Sequence, residues 1–215
     1  MYFIPELGPN SAVYEEPRLF FTMEYVDGDR SFARAAETWR RLVPQSARFN
    51  RDMDEILSWV VPSENEFRRV WSLVAEACRV RKAKAFFGAV FSHASKDDSP
   101  NGGLEFKPTP SDDGTLSRGE ISSLEVLPWH ENGALVLTGC NTGALGKRGW
   151  CPAAAFAARQ KIRTLGQPGY AYFSRRWTQY EAINAADRDL CLWAYRRRRN
   201  GMFGDGSRMP GQVFT

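Results

Sequence analysis

Two segments of the chain end an apolar run on a reactive side chain. In Gly133-Ala-Leu-Val-Leu-Thr-Gly-Cys140-Asn-Thr-Gly143 that side chain is a thiol, and in Phe86-Phe-Gly-Ala-Val-Phe-Ser-His93-Ala-Ser95 it is an imidazole. A free thiol is only about a few per cent ionised near neutral pH, so a nucleophilic cysteine needs a base beside it. Both apolar runs have the composition of strands buried on two faces, which is the signature of a parallel sheet. Parallel neighbours carry their C-terminal loops to one edge, where open α/β sheets hold their sites. This spacing predicts that Cys140 and His93 meet, with Cys140 attacking a carbonyl and His93 moving the proton. The Gly139–Cys140 peptide and the turn at Ala94 are the nearest backbone donors for an oxyanion. Glycine at 139 and 143 allows tight backbone geometry around the thiol.

The elements that must position this pair follow from periodicity. Leu19–Val26 reads as strand one, and Asp27-Gly-Asp29 as a turn. Ser31–Leu42 has helical apolar spacing. Ile56–Val61 reads as strand two and stops at Pro62. Ser63-Glu-Asn-Glu66 is a capping-box sequence that opens a helix over 64–81, with Phe67, Val70, Trp71, Val74, Ala75 and Cys78 on one stripe. Cys78 is therefore a core thiol. Ala85–Ser92 is strand three, and Gly103–Lys107 a short hairpin strand. Thr115–Leu124 is a short helix, Ala134–Thr138 strand four, and Cys151–Arg163 an alanine-rich helix. Strand five is either 162–165 or 169–174. Thr178–Asp187 reads as helix and Leu190–Tyr195 as strand six. Alternating strands and helices predict an α/β three-layer sandwich around a mostly parallel sheet of about six strands. An irregular arm (1–17), one domain (18–199) and a flexible Gly-rich tail (200–215) complete the organisation.

Composition narrows the function. The 215 residues are 43% hydrophobic and 13% aromatic, enough for one generous core. The formal charge is +4, and Arg196-Arg197-Arg198-Arg199 alone supplies as much, so nucleic acid is not indicated. That run is either a solvated element end or a contact for an acidic partner. Four cysteines without a CxxC pair read as free thiols in a reducing compartment. The start lacks a basic and apolar leader and no run is long enough to span a membrane, so a cytoplasmic location is expected. The spacings fit neither a phosphate-binding loop nor a zinc site, and no metal or cofactor is expected. His130, after Pro128-Trp129, is a surface residue or a substrate contact.

The quoted motifs resemble the caspase-like fold of cysteine peptidases, the group of caspases, metacaspases, separases, gingipains and CHAT-domain peptidases. Members carry a histidine after the third strand and a cysteine after the fourth. Their cysteine motif is an apolar run followed by small residue-Cys-x-x-Gly. Leu135-Val-Leu-Thr-Gly-Cys140-Asn-Thr-Gly143 is similar, closest to the bacterial CHAT style, and the resemblance covers about residues 84–175. It implies a thiol protease, a cysteine endopeptidase acting on protein or peptide substrates through a Cys140–His93 dyad. The alternative is a silent scaffold of the same fold that binds partners. Two departures bear on the site. Ala94 stands where the family usually has glycine. Thr138 stands where caspases place Gln and metacaspases Asp, two residues before the cysteine. The resemblance puts Thr138, Tyr170, Tyr172 and Ser174 near the substrate, the last three being core side chains otherwise. Asp27 and Asp29 are either an acidic pocket or a plain turn. These residues imply a neutral or basic side chain before the scissile bond. An acidic one would call for Arg18, Arg30 or Arg175.

Overall fold

The computed structural model describes residues 16–26, 30–46, 48–95, 102–147, 149–176, 180–195, 198–199, 202–203 and 211–215. In chain order the elements are β1 (Arg18–Glu24), α1 (Ser31–Leu42), β2 (Glu55–Val60), α2 (Glu64–Arg81), β3 (Lys84–Phe91), β4 (His93–Ala94), β5 (Gly103–Glu105) and β6 (Thr115–Ser117). They continue with α3 (Arg118–Ser123), β7 (Trp129–Leu137), α4 (Pro152–Gln160), β8 (Arg163–Gly166) and β9 (Tyr170–Ser174). The last are β10 (Cys191–Tyr195), β11 (Arg198–Arg199), β12 (Met202–Phe203) and β13 (Gln212–Phe214).

Six strands form the central sheet in the order β2-β1-β3-β7-β8-β13. All neighbours run parallel except β13, which pairs antiparallel with β8. The sheet is covered on both faces. Leu19, Phe21 and Met23 point into a core built with α2 and α4. Phe20 points the other way and packs with Phe87, Val43 and Trp39, on the side of α1. This alternation is what a central strand buried on both faces requires. The result is the α/β three-layer arrangement that the alternating pattern predicts. In β3, Phe86 is an extra residue against β1, because Ala85 and Phe87 pair with its adjacent positions Leu19 and Phe20, whereas against β7 the same two residues pair with Trp129 and Ala134 and the extra residues are in β7.

Helix α2 begins where the capping sequence puts it. Ser63 Oγ accepts the Glu66 N–H at 3.2 Å. The reciprocal arm of the box is replaced, since the Glu66 carboxylate accepts from Arg69 at 2.8 Å. A complete box instead starts α3, with Ser117 and Glu120 capping each other. Thr115–Ser117, read as helix from sequence, forms β6 beside β5.

Three further expectations change. Leu190–Tyr195 does not join the central sheet. It forms β10 and pairs antiparallel with β9 in a separate ribbon. Its Cys191 and Trp193 are buried against Tyr172 and Tyr180, one face only, which suits a ribbon better than a central position. The sixth central strand comes from the Gly-rich tail, where Gln212–Phe214 covers the edge of β8. Both candidates for strand five are strands, β8 in the central sheet and β9 in the ribbon. The segment 180–187 is not helical. Asn184 N–H donates to Asp187 Oδ2 (2.6 Å) and Ala186 N–H to Asn184 Oδ1 (2.9 Å). Such local side-chain acceptors compete with helical hydrogen bonds.

Candidate active site

Strand β3 ends at Phe91, and Ser92 is buried directly after it. The chain then leaves the central sheet, and His93 and Ala94 pair with Glu105 and Leu104 of β5. Ser95 N–H donates to Gly103 O at 3.1 Å. The antiparallel alternation from that bond makes His93–Glu105 the hydrogen-bonded pair and turns the Ala94 N–H away from β5. The His93 ring is exposed and makes edge contacts with Phe32 (4.8 Å between centroids) and Tyr25 (5.9 Å). Aromatic side chains from α1 and from the end of β1 thus restrict its orientation.

Strand β7 ends at Leu137, beside β3. The backbone N–H and the hydroxyl of Thr138 both donate to Val90 O at 2.8 Å, so the two strand ends are stitched together one residue after β7. At Gly139 a Cβ would press into the Ser92 carbonyl oxygen and lie 3.1 Å from Thr142 Cγ2. Only glycine allows this backbone approach. The residues immediately before Cys140 and before His93 therefore abut.

The loop after Cys140 is held by its own polar groups. Asn141 is left-handed (φ 56°), and its N–H donates to Gly169 O at 2.6 Å. Thr142 Oγ1 lies 3.1 Å from both Leu137 O and Gly139 O, and it accepts the Gln167 N–H at 2.8 Å. Gly143 backs onto Gly166, where a Cβ would lie 2.7 Å from its carbonyl. Thr142 O accepts the Ala153 N–H at 2.9 Å, which ties the loop to the first turn of α4. The half-buried Cys140 thiol faces β9. Its Sγ accepts the Ala171 N–H at 3.3 Å and lies 3.7 Å from Ala171 O. The N–H donor favours the thiolate, and the carbonyl acceptor favours the thiol.

Cys140 and His93 line one cleft of about 590 Å3 at the C-terminal edge of the sheet. Ala94, Tyr170 and Tyr172 line it as well, as do three residues the sequence did not single out, Phe32, Glu105 and Asn141. Other expected substrate contacts lie elsewhere. Thr138 is buried with its hydroxyl bound to Val90 O, so it presents nothing to the cleft. Ser174 is fully buried, and its Oγ accepts the Arg176 and Glu181 N–H groups as a turn-stabilising side chain. Gly139 lies beneath the cleft and is buried. Asp27, Asp29, Arg196 and Arg197 lie outside the described residues.

Arg18 and Arg175 do not serve the cleft. Arg18 is buried, paired with Asp54 (2.5 Å) and set over the Phe86 ring (4.4 Å). Arg175 pairs with Glu181 at 2.8 Å. Arg30 is the left-handed N-cap of α1 and borders a separate groove with Arg34, Arg41 and Arg188. His130 lies at the start of β7, away from the strand ends that carry the cleft; its Nδ1 accepts the Asn132 N–H at 3.0 Å, and burial pushes its pKa down.

A larger hollow of about 980 Å3 runs along α2 near Cys78 and Lys84, at the N-terminal edge of the sheet. Its thiol is not accessible. Cys78 is buried, and burial pushes its thiol up to about 11. The smaller cleft is the one that combines a thiol, an imidazole and the C-terminal strand edge. Among the described residues no His/Cys/Asp/Glu cluster is suited to a metal ion, and no helix is long and apolar enough to cross a membrane.

Thr142 escaped the sequence reading because a small polar residue in a loop carries no signal of the three groups it joins. Glu105 was legible in hindsight. Leu104 and Phe106 are buried, so alternation puts Glu105 on the other face of β5.

No protein-family model and no curated protein matches the sequence. A solved structure of a secreted C11 cysteine protease from Bacteroides thetaiotaomicron, in complex with an irreversible peptide inhibitor, is similar in chain path. The two share 12% identity at a TM-score of 0.44, over 70% of this chain and 49% of that one, so this chain spans about half the length of that protein. A likeness at this level speaks to neither the site residues nor the reaction.

Proposed function

We propose that this protein is a cysteine endopeptidase of the caspase-like kind, with Cys140 as nucleophile and His93 as proton carrier. The observation that carries this reading is the shared cleft. A thiol and an imidazole, each just past the C-terminal end of neighbouring parallel strands, line one hollow at the sheet edge. The histidine follows the third strand of the sheet and the cysteine the fourth, in the order the sequence resemblance implies. The CHAT-like character of the cysteine motif belongs to the same reading, as do a bacterial and cytoplasmic setting and an acidic partner for Arg196–Arg199.

In this mechanism His93 accepts the thiol proton, and Cys140 sulfur attacks the scissile carbonyl carbon. The oxyanion forms beside Ala94, whose N–H the ladder turns away from β5, and beside the Gly139–Cys140 peptide. The C–N bond breaks as His93 returns its proton to the leaving amine, leaving a thioester. Water, deprotonated by His93, then hydrolyses the thioester and restores the thiol. Tyr170 and Tyr172 supply cleft wall for the peptide.

The experiment is a peptide-library digest combined with thiol labelling. Cys140→Ala is expected to abolish hydrolysis and keep the melting temperature. His93→Ala should lose nearly as much, because groups acting as one unit are not additive. Iodoacetamide should modify Cys140 far faster than Cys78. A silent scaffold is the second reading, favoured by the thiol's contact with the Ala171 carbonyl, which favours the protonated form, and by Ala94 in place of glycine. It predicts no hydrolysis and no preferential labelling of Cys140.

A further inference from the structure

The cleft carries one acidic side chain among its described lining residues, Glu105. Glu105 sits directly opposite His93 in the β4–β5 ladder. Residues opposite each other in an antiparallel pair project to the same face, with Cβ atoms roughly 5 Å apart. The carboxylate is thus held about one side-chain length from the reacting groups. It is half-buried, and no hydrogen bond or ion pair engages it among the described residues. Strand β5 is fixed on both sides, to β4 and to β6, so the position of Glu105 does not depend on a free loop. Gly103 sets that register, because a Cβ there would run into Leu116 O and lie 2.8 Å from Leu116 C.

Apart from Ser31, Asn141 and the reacting pair, the rest of the wall is apolar or aromatic. Phe32, Tyr172, Phe173 and Tyr180 face the same hollow. An aromatic wall ending in one carboxylate matches a side chain with an aliphatic stem and a cationic tip, which buries its methylenes and keeps its charge paired. A carboxylate-bearing substrate would instead meet Glu105 as a like charge. We infer that Glu105 is a specificity determinant of the cleft, selecting peptides with Lys or Arg beside the scissile bond. This rests on the peptidase reading for the word scissile, but the recognition itself does not require cleavage.

The test separates the two. Cys140→Ala protein is titrated with fluorescent hexapeptides that differ only in one central residue, Arg, Lys, Leu or Asp, and affinity is read by anisotropy. The expected order is Arg and Lys tightest, with Asp weakest. Glu105→Gln should weaken Arg and Lys binding roughly tenfold, as for one partly solvated charge pair, and leave Leu binding unchanged. Glu105→Lys should invert the order toward Asp. In the wild type, the same change should appear in KM for basic peptides with kcat little altered.

Equal loss for Arg and Leu peptides in Glu105→Gln would mean a structural effect and would overturn the inference. So would an Asp preference, which would move the determinant to the N-terminus of α1, where Ser31 also lines the cleft. Selective binding of basic peptides without hydrolysis by the wild type would retain the inference and discard the peptidase reading. Hydrolysis without selectivity for basic side chains would do the reverse.

Discussion

Gly139→Ala tests whether the two reactive residues are placed by backbone contact. The peptide before Cys140 lies against the carbonyl of Ser92, which is the peptide before His93. An added Cβ at 139 lies inside van der Waals contact of that oxygen and 3.1 Å from Thr142 Cγ2. Restoring ordinary separation requires the strand ends to part by roughly 1 Å. Neither side is a flexible side-chain tip, because Ser92 O is backbone and Thr142 is pinned through its hydroxyl. Overpacking of this kind costs about 1–3 kcal/mol. For a chain of this size each kcal/mol lowers the melting temperature by about 2–4 °C. The chemical effect is larger, since a misplacement of about 1 Å in a reacting pair costs on the order of 100-fold in rate. The assay pairs a thermal melt with the iodoacetamide rate at Cys140 and with kcat/KM on the best library peptide. A Gly139→Ala protein that melts a few degrees lower yet labels and hydrolyses at wild-type rates would refute the reasoning. It would show that the strand ends absorb the methyl without moving the pair.

Three other outcomes are expected. Thr142→Val keeps the shape but removes the acceptor for the Gln167 N–H and the donor to the Leu137 and Gly139 carbonyls; denaturant melts should show a loss of about 1–3 kcal/mol, with slower Cys140 labelling. Asp54→Ala strands the buried Arg18 guanidinium and should cost about 3–5 kcal/mol by the same melts, without changing the selectivity among peptides. Glu64 at the start of α2 is pushed up from 4.5 to about 7, by burial first and then by the hydrogen bond and charge of Glu120. A carboxyl raised in this direction contributes stability that is present below about 4.5 and lost as pH rises through about 7, so melts from pH 5 to 8 should show stability falling. Glu64→Gln should flatten that slope, and an unchanged slope would remove Glu64 as its source.

Much of this fold can be read from local pattern. The long apolar runs of β1, β3 and β7 and the stripe of α2 each satisfy one periodicity over enough residues to exclude the alternative. The placement of His93 and Cys140 follows from strand parallelism alone. What escaped depends on long-range competition. Asn184 and Asp187 take the backbone donors that a helix would need, and nothing in the apolar spacing of 178–187 announces it. Residues 191–195 look like any apolar strand, and only their one-sided burial against Tyr172 and Tyr180 assigns them to the ribbon. Gln212–Phe214 is too short to signal by composition and becomes a strand because β8 offers it an open edge. Thr138 misled because it sits two residues before Cys140, yet its hydroxyl belongs to Val90.

The contact between Cys140 and Ala171 joins two different sheets. Cys140 extends from the central sheet, whereas Ala171 belongs to the β9–β10 ribbon, which shares no ladder hydrogen bond with that sheet. The N–H donated to the sulfur is therefore carried by an element held to the central sheet by packing, Phe173 and Leu190 against Phe32, Ala89 and Phe91, rather than by a ladder. Any departure of the ribbon removes the donor and widens the cleft in one motion. With the ribbon seated the sulfur has both a donor and an acceptor on Ala171, and with the ribbon displaced it has neither and is more accessible. Observed reactivity is then the intrinsic rate scaled by the population of whichever state the reagent requires. A small alkylator and a bulky peptide would report different fractions of the same equilibrium, and amide exchange at Ala171 would measure it directly.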